Sequence, residues 1–406
     1  MQVLMITPGT RGDVVPMAGL GSRLQALGFK VAIAANAPYA PLISASGCEY
    51  RELPGDMRHL VNPATAESAT AGSAMRWYLR ELSQYMELAA SGTLAAAEQG
   101  ADVILTNAVA PYAYDVAEGF GIPALGAHLQ PTEPSSAHPP MALGTPRSLG
   151  RIGNKVLGEV LAAGKAPYDA PTARIRNTLG LPQRSRAASE RRRRRADHPV
   201  LHGFSPVVVP RPKDWRPGLT MTGYWWPADA EDWTPPADLV DFVEAGPPPV
   251  FIGFGSSNAT DPEMMLDAAR RAGIRIILQG AEGISESDAL SIGEVPHEWL
   301  FPKMAAVVHH AGAGTTAAGL RAGTPTVCVP IYTDQPFWAS RIASLGAGPK
   351  PIPFKKLTVE RLASALSEVV TDPAFGANAR RIASALVDED ATAQVVASLQ
   401  SVARTS

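Results

Sequence analysis

The sequence predicts an α/β fold made of two doubly wound, parallel-sheet domains in tandem. Three observations support this prediction. A strand, a glycine-containing loop, a helix and a second strand follow one another at the N-terminus, the same order begins again near residue 249, and a proline-rich stretch separates the two. Strands joined through a helix in this way form the βαβ unit of parallel sheets. The length of 406 residues agrees with two or three domains.

The N-terminal half contains two such units. Apolar runs at 3–6 and 31–34 predict strands, and leucines at helical spacing between them predict a helix that ends at Gly28. We expect that helix to begin near Pro16, which makes residues 7–13 a loop. The second unit has strands at 102–106 and 122–125 around a helix at 112–119.

The C-terminal half repeats the pattern. Its apolar runs predict strands at 249–253, 275–278, 305–308 and 325–329, and a glycine-rich turn precedes a helix at 312–322. Residues 357–399 read as two or more amphipathic helices. Proline-dense, irregular sequence at 182–248 marks the boundary between the halves.

Composition and charge exclude several classes of protein. A net charge of −2 argues against a general nucleic-acid binder, and two cysteines are too few for a disulfide framework. The N-terminus enters an apolar strand without a basic leader, and no apolar stretch reaches the about 18 residues of a membrane span. We therefore expect a cytoplasmic enzyme.

The strongest chemical signal is the segment 307–316, Val-Val-His-His-Ala-Gly-Ala-Gly-Thr-Thr. A strand there leads through small residues into a helix start, where free N–H groups and the helix dipole favour an anion such as a diphosphate. On the residues alone, a plain turn whose glycines relieve crowding is an equally good interpretation. Residues 206–406 carry a net charge of −6, so local geometry rather than a broad positive field must hold an anion there.

Several segments carry a resemblance to a known family. The segment 309–316 and the segment 330–339, Pro-Ile-Tyr-Thr-Asp-Gln-Pro-Phe-Trp-Ala, resemble the donor-binding signature of family 1 nucleotide-sugar glycosyltransferases with the GT-B fold. Residues 9–16, Gly-Thr-Arg-Gly-Asp-Val-Val-Pro, resemble their acceptor-domain signature. Residues 202–215 and 222–226 resemble the sterol 3β-glucosyltransferase-like branch, near bacterial antibiotic glycosyltransferases. Ala311 departs from the bacterial pattern, which commonly has glycine there, and Val15 replaces an often polar residue.

The resemblance implies two Rossmann-like doubly wound domains that face each other across a cleft. The expected division is an acceptor-binding domain at 1–205, a proline-rich linker and domain seam at 206–248, a nucleotide-sugar donor-binding domain at 249–385, and a C-terminal helix at 386–406 that packs back on the first domain.

Asp13 is the candidate catalytic residue. Glycosyl transfer to an alcohol needs a base, and a carboxylate after the first strand lies at the sheet edge where α/β folds bind ligands. On the residues alone, a helix-capping role for Asp13 is the more common one, whereas the resemblance implies the general base. Arg11 either orients Asp13 or faces solvent.

The resemblance also implies the binding residues. The donor diphosphate would contact Ser256, His310, Gly312, Gly314 and Thr315, the nucleobase would contact Val295, His297 and Leu300, and the donor sugar would contact Asp334 and Gln335. Candidate acceptor-binding residues are Arg11, Met57, Trp77 and His128. Taken singly, these positions also fit ordinary loop, core or helix-packing roles, and Trp338 fits either the core or a place under the sugar.

The expected function is that of an inverting O-glycosyltransferase that moves a hexose from a UDP- or dTDP-sugar to a hydroxyl of a hydrophobic aglycone. The alternatives are a nucleotide-sugar epimerase on the same fold and a non-catalytic binding or activator homologue. No metal or cofactor beyond the co-substrate is expected, because the eight histidines lack metal-ligand spacing. The arginine run at 191–195 is expected to be a solvated loop rather than a peripheral membrane contact.

Overall fold

The computed structural model describes residues 1–56, 71–164, 166–228, 233–255 and 261–404. The strands in these ranges are β1 Gln2–Ile6, β2 Lys30–Asn36, β3 Glu49–Leu53, β4 Val103–Thr106, β5 Ala124–His128, β6 Val200–His202, β7 Leu219–Met221, β8 Val250–Gly253, β9 Ile276–Gln279, β10 Ala289–Ile292, β11 Ala306–His309 and β12 Thr326–Cys328. The helices are α1 Arg11–Ala26, α2 Ala40–Ala45, α3 Ala71–Glu98, α4 Ala113–Phe120, α5 Gly150–Ala163, α6 Asp169–Thr178, α7 Arg186–Arg195, α8 Ala237–Glu244, α9 Pro262–Ala272, α10 His297–Leu300, α11 Ala313–Arg321, α12 Gln335–Ser344, α13 Val359–Thr371, α14 Pro373–Val387 and α15 Ala391–Ala403.

The first sheet has the strand order β3-β2-β1-β4-β5-β6-β7, and every pair in it is parallel. The order reverses between β1 and β4, which is the switch point where doubly wound sheets bind ligands. Ile6 at the end of β1 pairs with Ala34 of β2 and with Thr106 of β4. The loops that follow these three strands therefore lie together at one edge of the sheet.

The second sheet repeats this plan with the order β10-β9-β8-β11-β12, again wholly parallel. Its switch point lies between β8 and β11, where Gly253 pairs with His309. The segment after β8 and the glycine-rich turn after β11 are therefore neighbours. Two doubly wound parallel-sheet domains, as the sequence predicts, are confirmed.

The two domains share buried apolar contacts. One cluster joins Phe204 and Trp215 of the first domain's last segment to Leu320 and Trp338 of the second domain. Helix α15, at the end of the chain, places Val395 and Leu399 in the core of the first sheet. The chain thus crosses between domains twice, and the second crossing returns it to the domain in which it began.

The segment 206–248, expected to be a linker and domain seam, contains elements of both sheets' surroundings. Strand β7 lies within that segment and is the last strand of the first sheet, whereas α8 packs on β10 of the second sheet. We therefore propose that the first domain extends through Met221 and that the connection comprises residues 222–236.

Two local predictions were wrong. Helix α1 begins at Arg11 and contains Pro16, because Thr10 supplies an extended N-cap and Pro16 lies early enough in the helix to be tolerated. The arginine run at 191–195 belongs to helix α7 rather than to a loop. Ser185 caps that helix by accepting a hydrogen bond from the Ala188 N–H at 3.3 Å.

Candidate active site between the two switch points

Asp13 of the first domain and Asp334 of the second lie near one another across the cleft. The Asp334 carboxylate contributes to raising the pKa of Asp13, so the two groups interact electrostatically across the cleft. Beside them, the exposed Arg11 forms an ion pair with Glu294 of the second domain at 3.3 Å. Arg11 therefore bridges the domains and does not bond to Asp13.

The Asp13 carboxylate is anchored through one of its oxygens. Its Oδ2 accepts hydrogen bonds from the Thr10 backbone N–H at 2.9 Å and from the Thr10 hydroxyl at 3.2 Å. Asp13 is the third residue of α1, so the backbone contact is the reciprocal bond of a capping box. Among described residues Oδ1 has no protein hydrogen bond, which leaves it able to accept from a substrate hydroxyl. The capping role and the candidate base role are therefore compatible.

Burial raises the pKa of Asp13 to about 6. Desolvation is the largest cause, the two Thr10 hydrogen bonds oppose it, and the negative field of Asp334 adds to it. A carboxylate with this pKa is a stronger base than an ordinary aspartate and is still mostly ionised at neutral pH.

A glycine and a buried polar pair shape the space around Asp13. Gly9 has a φ of 140°, and a Cβ there would overlap the Asp13 carboxylate. The Tyr85 hydroxyl donates to Asn36 Oδ1 at 2.7 Å, and the Asn36 side-chain amide donates to the Leu53 carbonyl at 3.0 Å. The Gly9 N–H also donates to Asn36 Oδ1 at 3.5 Å, so this polar pair lies next to the loop that precedes Asp13.

The glycine-rich turn brings the start of α11 to the second switch point. Gly312 is the N-cap, and the first intrahelical bond runs from the Thr316 N–H to the Gly312 carbonyl at 2.9 Å. The N–H groups of residues 313–315 therefore point out of the helix end, where they and the helix dipole favour an anion. Gly314 is exposed and no atom lies within 4 Å of the position a Cβ would take, so a ligand can approach the backbone there.

Ala311 holds the turn in an unusual conformation. Its φ of 63° lies in the left-handed region, and its N–H donates to His309 Nδ1 at 2.9 Å. This explains why glycine suits the position in the bacterial pattern, because an alanine there pays a steric cost of about 1 kcal/mol.

His310 stands between the two loops of this switch point. A Cβ on Gly255 would lie 3.1 Å from its Cε1, and a Cβ on Gly312 would lie 2.6 Å from its Nε2. Burial lowers the pKa of His310 to about 4, so the ring is neutral near pH 7 and carries one N–H donor. Its buried Nδ1 has no hydrogen-bond partner among the described residues. Ser256, which follows Gly255, lies outside the described residues.

The Asp334 carboxylate is oriented by its neighbours. Its Oδ1 accepts from the Thr333 hydroxyl and its Oδ2 accepts from the Trp338 indole N–H, both at 2.9 Å. Trp338 is fully buried, so it is a core residue that positions Asp334. Gln335 is constrained as well, because its Oε1 accepts from the N–H groups of Ile331 and Tyr332 at 2.8 and 3.1 Å. Only its side-chain NH₂ remains for a ligand.

We expect Trp338→Phe to lower kcat/KM for the donor by about tenfold. Phenylalanine fills most of the space but removes the N–H that holds Asp334 Oδ2, a bond to a charged group worth about 1.5–3 kcal/mol. Steady-state kinetics with varied donor would measure it. Phe337→Leu is the matched control, since Phe337 is buried beside Trp338 and its side chain has no bond to Asp334. An equal loss in both variants would contradict the positioning role.

The segment expected to hold the nucleobase is partly helical. His297 begins α10 and stacks on Phe301 with ring centroids 4.2 Å apart. Burial and the nearby Arg11 lower its pKa to about 4. Val295 is half-buried, whereas the Leu300 side chain is fully buried and its N–H bonds to the Pro296 carbonyl. His297 and Val295 are half-buried, and Leu300 is a core residue.

The candidate acceptor residues are dispersed. Trp77 lies on α3 with 37% of its surface exposed. His128 ends β5, but its ring is buried against His202 at 5.7 Å and its Nδ1 lies 3.2 Å from the Thr132 hydroxyl. Met57 lies outside the described residues. Nothing in the described residues brings His128 to Asp13.

Sequence reasoning missed Asn36 as part of the site, and it assigned no individual role to Gly9 or Thr10 within the signature at 9–16. Asn36 ends β2 and Gly9 and Thr10 follow β1, so all three lie at the carboxyl edge of the sheet. A search for polar residues directly after buried strands would have found Asn36. Within the described ranges, no three His, Cys, Asp or Glu residues cluster as a metal site, and no helix is long and apolar enough to cross a bilayer.

Known proteins share this architecture. The glycosyltransferase of kitacinnamycin superposes with a TM-score of 0.72 at 18% identity and covers 99% of this chain and 98% of its own. The glycosyltransferase VinC in complex with dTDP superposes with a TM-score of 0.68 at 21% identity over the full length of both chains. The fold with its two switch points is that of the GT-B glycosyltransferases.

Sequence comparison identifies the branch. The family described as "Erythromycin biosynthesis protein CIII-like, C-terminal domain" matches residues 274–402. An O-mycaminosyltylonolide 6-deoxyallosyltransferase of Streptomyces fradiae is 34% identical, covering 96% of this chain and 94% of its own. A sterol 3-beta-glucosyltransferase of Arabidopsis thaliana is 32% identical over 98% of this chain, which spans 64% of the plant protein. The chain belongs to the nucleotide-sugar glycosyltransferase family that contains macrolide and sterol glycosyltransferases.

Proposed function

We propose that this protein is an inverting O-glycosyltransferase that moves a hexose from a UDP- or dTDP-sugar to a hydroxyl of a hydrophobic aglycone. The observation that carries the proposal is that Asp13, at the first switch point, has one unbonded carboxylate oxygen among described residues and a raised pKa to which Asp334 of the second domain contributes. One carboxylate, with its raised pKa, suits proton removal from an alcohol, and the other is oriented to accept hydrogen bonds from a polyol.

In the proposed mechanism, Asp13 Oδ1 accepts the proton of the acceptor hydroxyl while its oxygen attacks the anomeric carbon. The leaving diphosphate departs from the opposite face, so the configuration at that carbon inverts. The negative charge that develops on the diphosphate would be stabilised by the His310 N–H, the N–H groups at the start of α11 and the helix dipole. These groups supply the stabilisation without a metal ion.

The substrate class is proposed from the relatives. The Streptomyces relative is named for a deoxyallosyl transfer to a macrolide, and the plant relative for glucosyl transfer to a sterol. Two structural neighbours were solved in complex with thymidine diphosphate, which is dTDP. We therefore propose a polyketide-like or sterol-like alcohol as acceptor and place dTDP- and UDP-hexoses first among the donors to test.

A panel of nucleotide sugars crossed with hydrophobic alcohols, read by mass spectrometry, would test the proposal. The expected result is a hexose adduct whose anomeric configuration by NMR is opposite to that of the donor. Excess EDTA should leave the rate unchanged. A new epimer of the donor sugar, formed without acceptor, would instead indicate an epimerase, and nucleotide binding without transfer across the panel would indicate a binding homologue.

The pH profile of kcat/KM should show an acid limb near pH 6. Asp13, with a pKa of about 6, is protonated below this value and then cannot accept the hydroxyl proton. His297 and His310 have pKa values lowered to about 4, so neither produces a limb between pH 5 and 7. Initial rates in a constant-ionic-strength buffer series would measure the limb. Rates independent of pH from 5 to 7 would contradict the role assigned to Asp13.

A further inference from the structure

Helix α5 carries an unusual row of exposed apolar side chains. Ile152, Val156 and Val160 are 81%, 56% and 59% exposed, and Leu149, just before the helix, is 50% exposed. A spacing of three to four residues places all four on one face of the helix. We call this row the apolar stripe. It spans about 17 Å at about 1.5 Å per residue.

The opposite face of α5 is firmly packed. Asn154 is buried, and its Oδ1 accepts from the Leu149 N–H at 2.9 Å. Gly158 lies against Pro134 so closely that a Cβ there would sit 2.9 Å from the Pro134 Cβ. The apolar stripe is therefore held outward by ordered packing behind it.

Helix α7 adds positive charge beside the stripe. Arg193 and Arg194 point inward, onto the Tyr114 ring and toward Glu159 respectively. Arg191, Arg192 and Arg195 are exposed and line a surface recess of about 540 Å³. We call these three residues the arginine triplet. Among described residues, its sole carboxylate contact within 4.0 Å is Arg192 with Glu118 at 3.9 Å.

The end of helix α7 lies beside the apolar stripe. Arg194 near the end of α7 contacts Glu159 at 2.8 Å, and Arg186 at its start contacts the Ala162 carbonyl at 3.2 Å. Glu159 is the neighbour of Val160 in the stripe, and Arg194 is the neighbour of Arg195 in the triplet. The exposed side chains of the stripe and of the triplet therefore meet where these two residues form their ion pair.

The stripe also begins near the cleft. The loop before α5 reaches the second domain, where the His138 ring lies 5.3 Å from the Phe337 ring. In the same loop, Gly144 lies against the backbone of Thr333, the neighbour of Asp334. The wall of the candidate active site and the stripe therefore belong to one continuous segment of chain.

We propose that the stripe and the triplet together bind the surface of an anionic lipid bilayer. The triplet would contact headgroup phosphates while the aliphatic side chains enter the acyl boundary, as in interfacial amphipathic helices. A row one helix wide covers about 170 Å², from about 17 Å by about 10 Å, far less than the about 800 Å² that each partner buries in a stable protein complex. If the proposed function also holds, a hydrophobic acceptor dissolved in the bilayer would reach the cleft along this face.

Sedimentation of the full chain with vesicles tests the proposal. We expect binding to vesicles that contain phosphatidylglycerol, weakening as salt is added, and little binding to phosphatidylcholine alone. The triple variant R191Q/R192Q/R195Q should bind about a hundredfold more weakly, at about fivefold per arginine. I152D/V156D should also lose binding. The matched control R381Q/V387D changes an exposed arginine and an equally exposed valine on the second domain and should bind like the wild type.

Three results would overturn the proposal. These are no phosphatidylglycerol-dependent binding at low salt, equal losses in the control variant, or sedimentation velocity showing that I152D/V156D breaks up a dimer while vesicle binding is unchanged. The last result would make the stripe a protein interface. Vesicle binding is measured without donor or acceptor, so its outcome is independent of whether the chain transfers a sugar.

Discussion

Asp13→Asn should lower the rate of glycosyl transfer by about 10²–10⁴-fold while leaving nucleoside diphosphate binding intact. The amide cannot accept a proton from the acceptor hydroxyl at any pH near neutrality. Its oxygen can still accept the Thr10 N–H, so helix α1 should keep its capping interaction. Single-turnover rates and calorimetric titration with dTDP and UDP would measure the two effects separately, and residual activity should lack the acid limb near pH 6.

A comparison of Asp13→Ala with Asp13→Asn separates the base role from the capping role. Alanine removes both, so it should add a loss of about 1 kcal/mol in the free energy of unfolding to the loss of transfer. If Asp13 served only as a cap, Asp13→Asn would transfer at the wild-type rate and Asp13→Ala alone would suffer. That pattern would remove Asp13 from the mechanism.

His310→Ala should lower kcat by about 10²–10³-fold, the usual cost of deleting one donor to a developing negative charge. The neutral ring is wedged between the positions of Gly255 and Gly312, and its buried Nδ1 has no partner among described residues. We propose that this ring serves a ligand rather than the fold. Transfer rates with saturating donor would measure the effect.

His310→Gln and Gly312→Ala refine this prediction. Glutamine keeps an N–H donor and should recover part of the rate. Gly312 has a φ of −63°, which alanine adopts freely, so Gly312→Ala acts mainly by pushing its Cβ against His310 Nε2. We expect that variant to fold normally and to show a raised KM for the donor. Unchanged kinetics in both His310→Ala and Gly312→Ala would exclude a role for this ring.

Much of the fold could be predicted because parallel strands are buried on both faces. Such strands are short apolar runs, and the runs at 3–6, 249–253 and 305–308 each coincide with a strand to within one residue. The small residues after β11 also predicted a turn. From sequence alone, that turn either accepts a ligand or uses glycine to relieve steric crowding. Strands with mixed or polar composition, such as β3 and β7, were missed because no local pattern distinguishes them from loops.

Local rules failed where tertiary contacts decide the conformation. Five successive arginines predict a solvated loop, but these five belong to helix α7. There Arg193 stacks on the Tyr114 ring and Arg194 pairs with Glu159, and both partners come from other helices. Pro16 suggests a helix start, but the Thr10 cap moves the start to Arg11. Tyr114 and Glu159 are distant in sequence from the arginines, and the Thr10 cap depends on an extended backbone at that residue. Hydrophobic periodicity reveals neither effect.

The sequence by itself determined the two-domain α/β architecture, the family and the chemical types of the candidate site residues. These follow from burial patterns and short motifs, which are local properties of the chain. Only the tertiary structure decided that Asp13 and Asp334 share one electrostatic environment, that Trp338 orients Asp334, and that Leu300 belongs to the core. Asp13 and Asp334 are hundreds of positions apart, and even the bond between Trp338 and Asp334, four positions apart, needs a helix in place. Electrostatic fields, hydrogen bonds and burial depend on distances in space, and folding alone sets those distances.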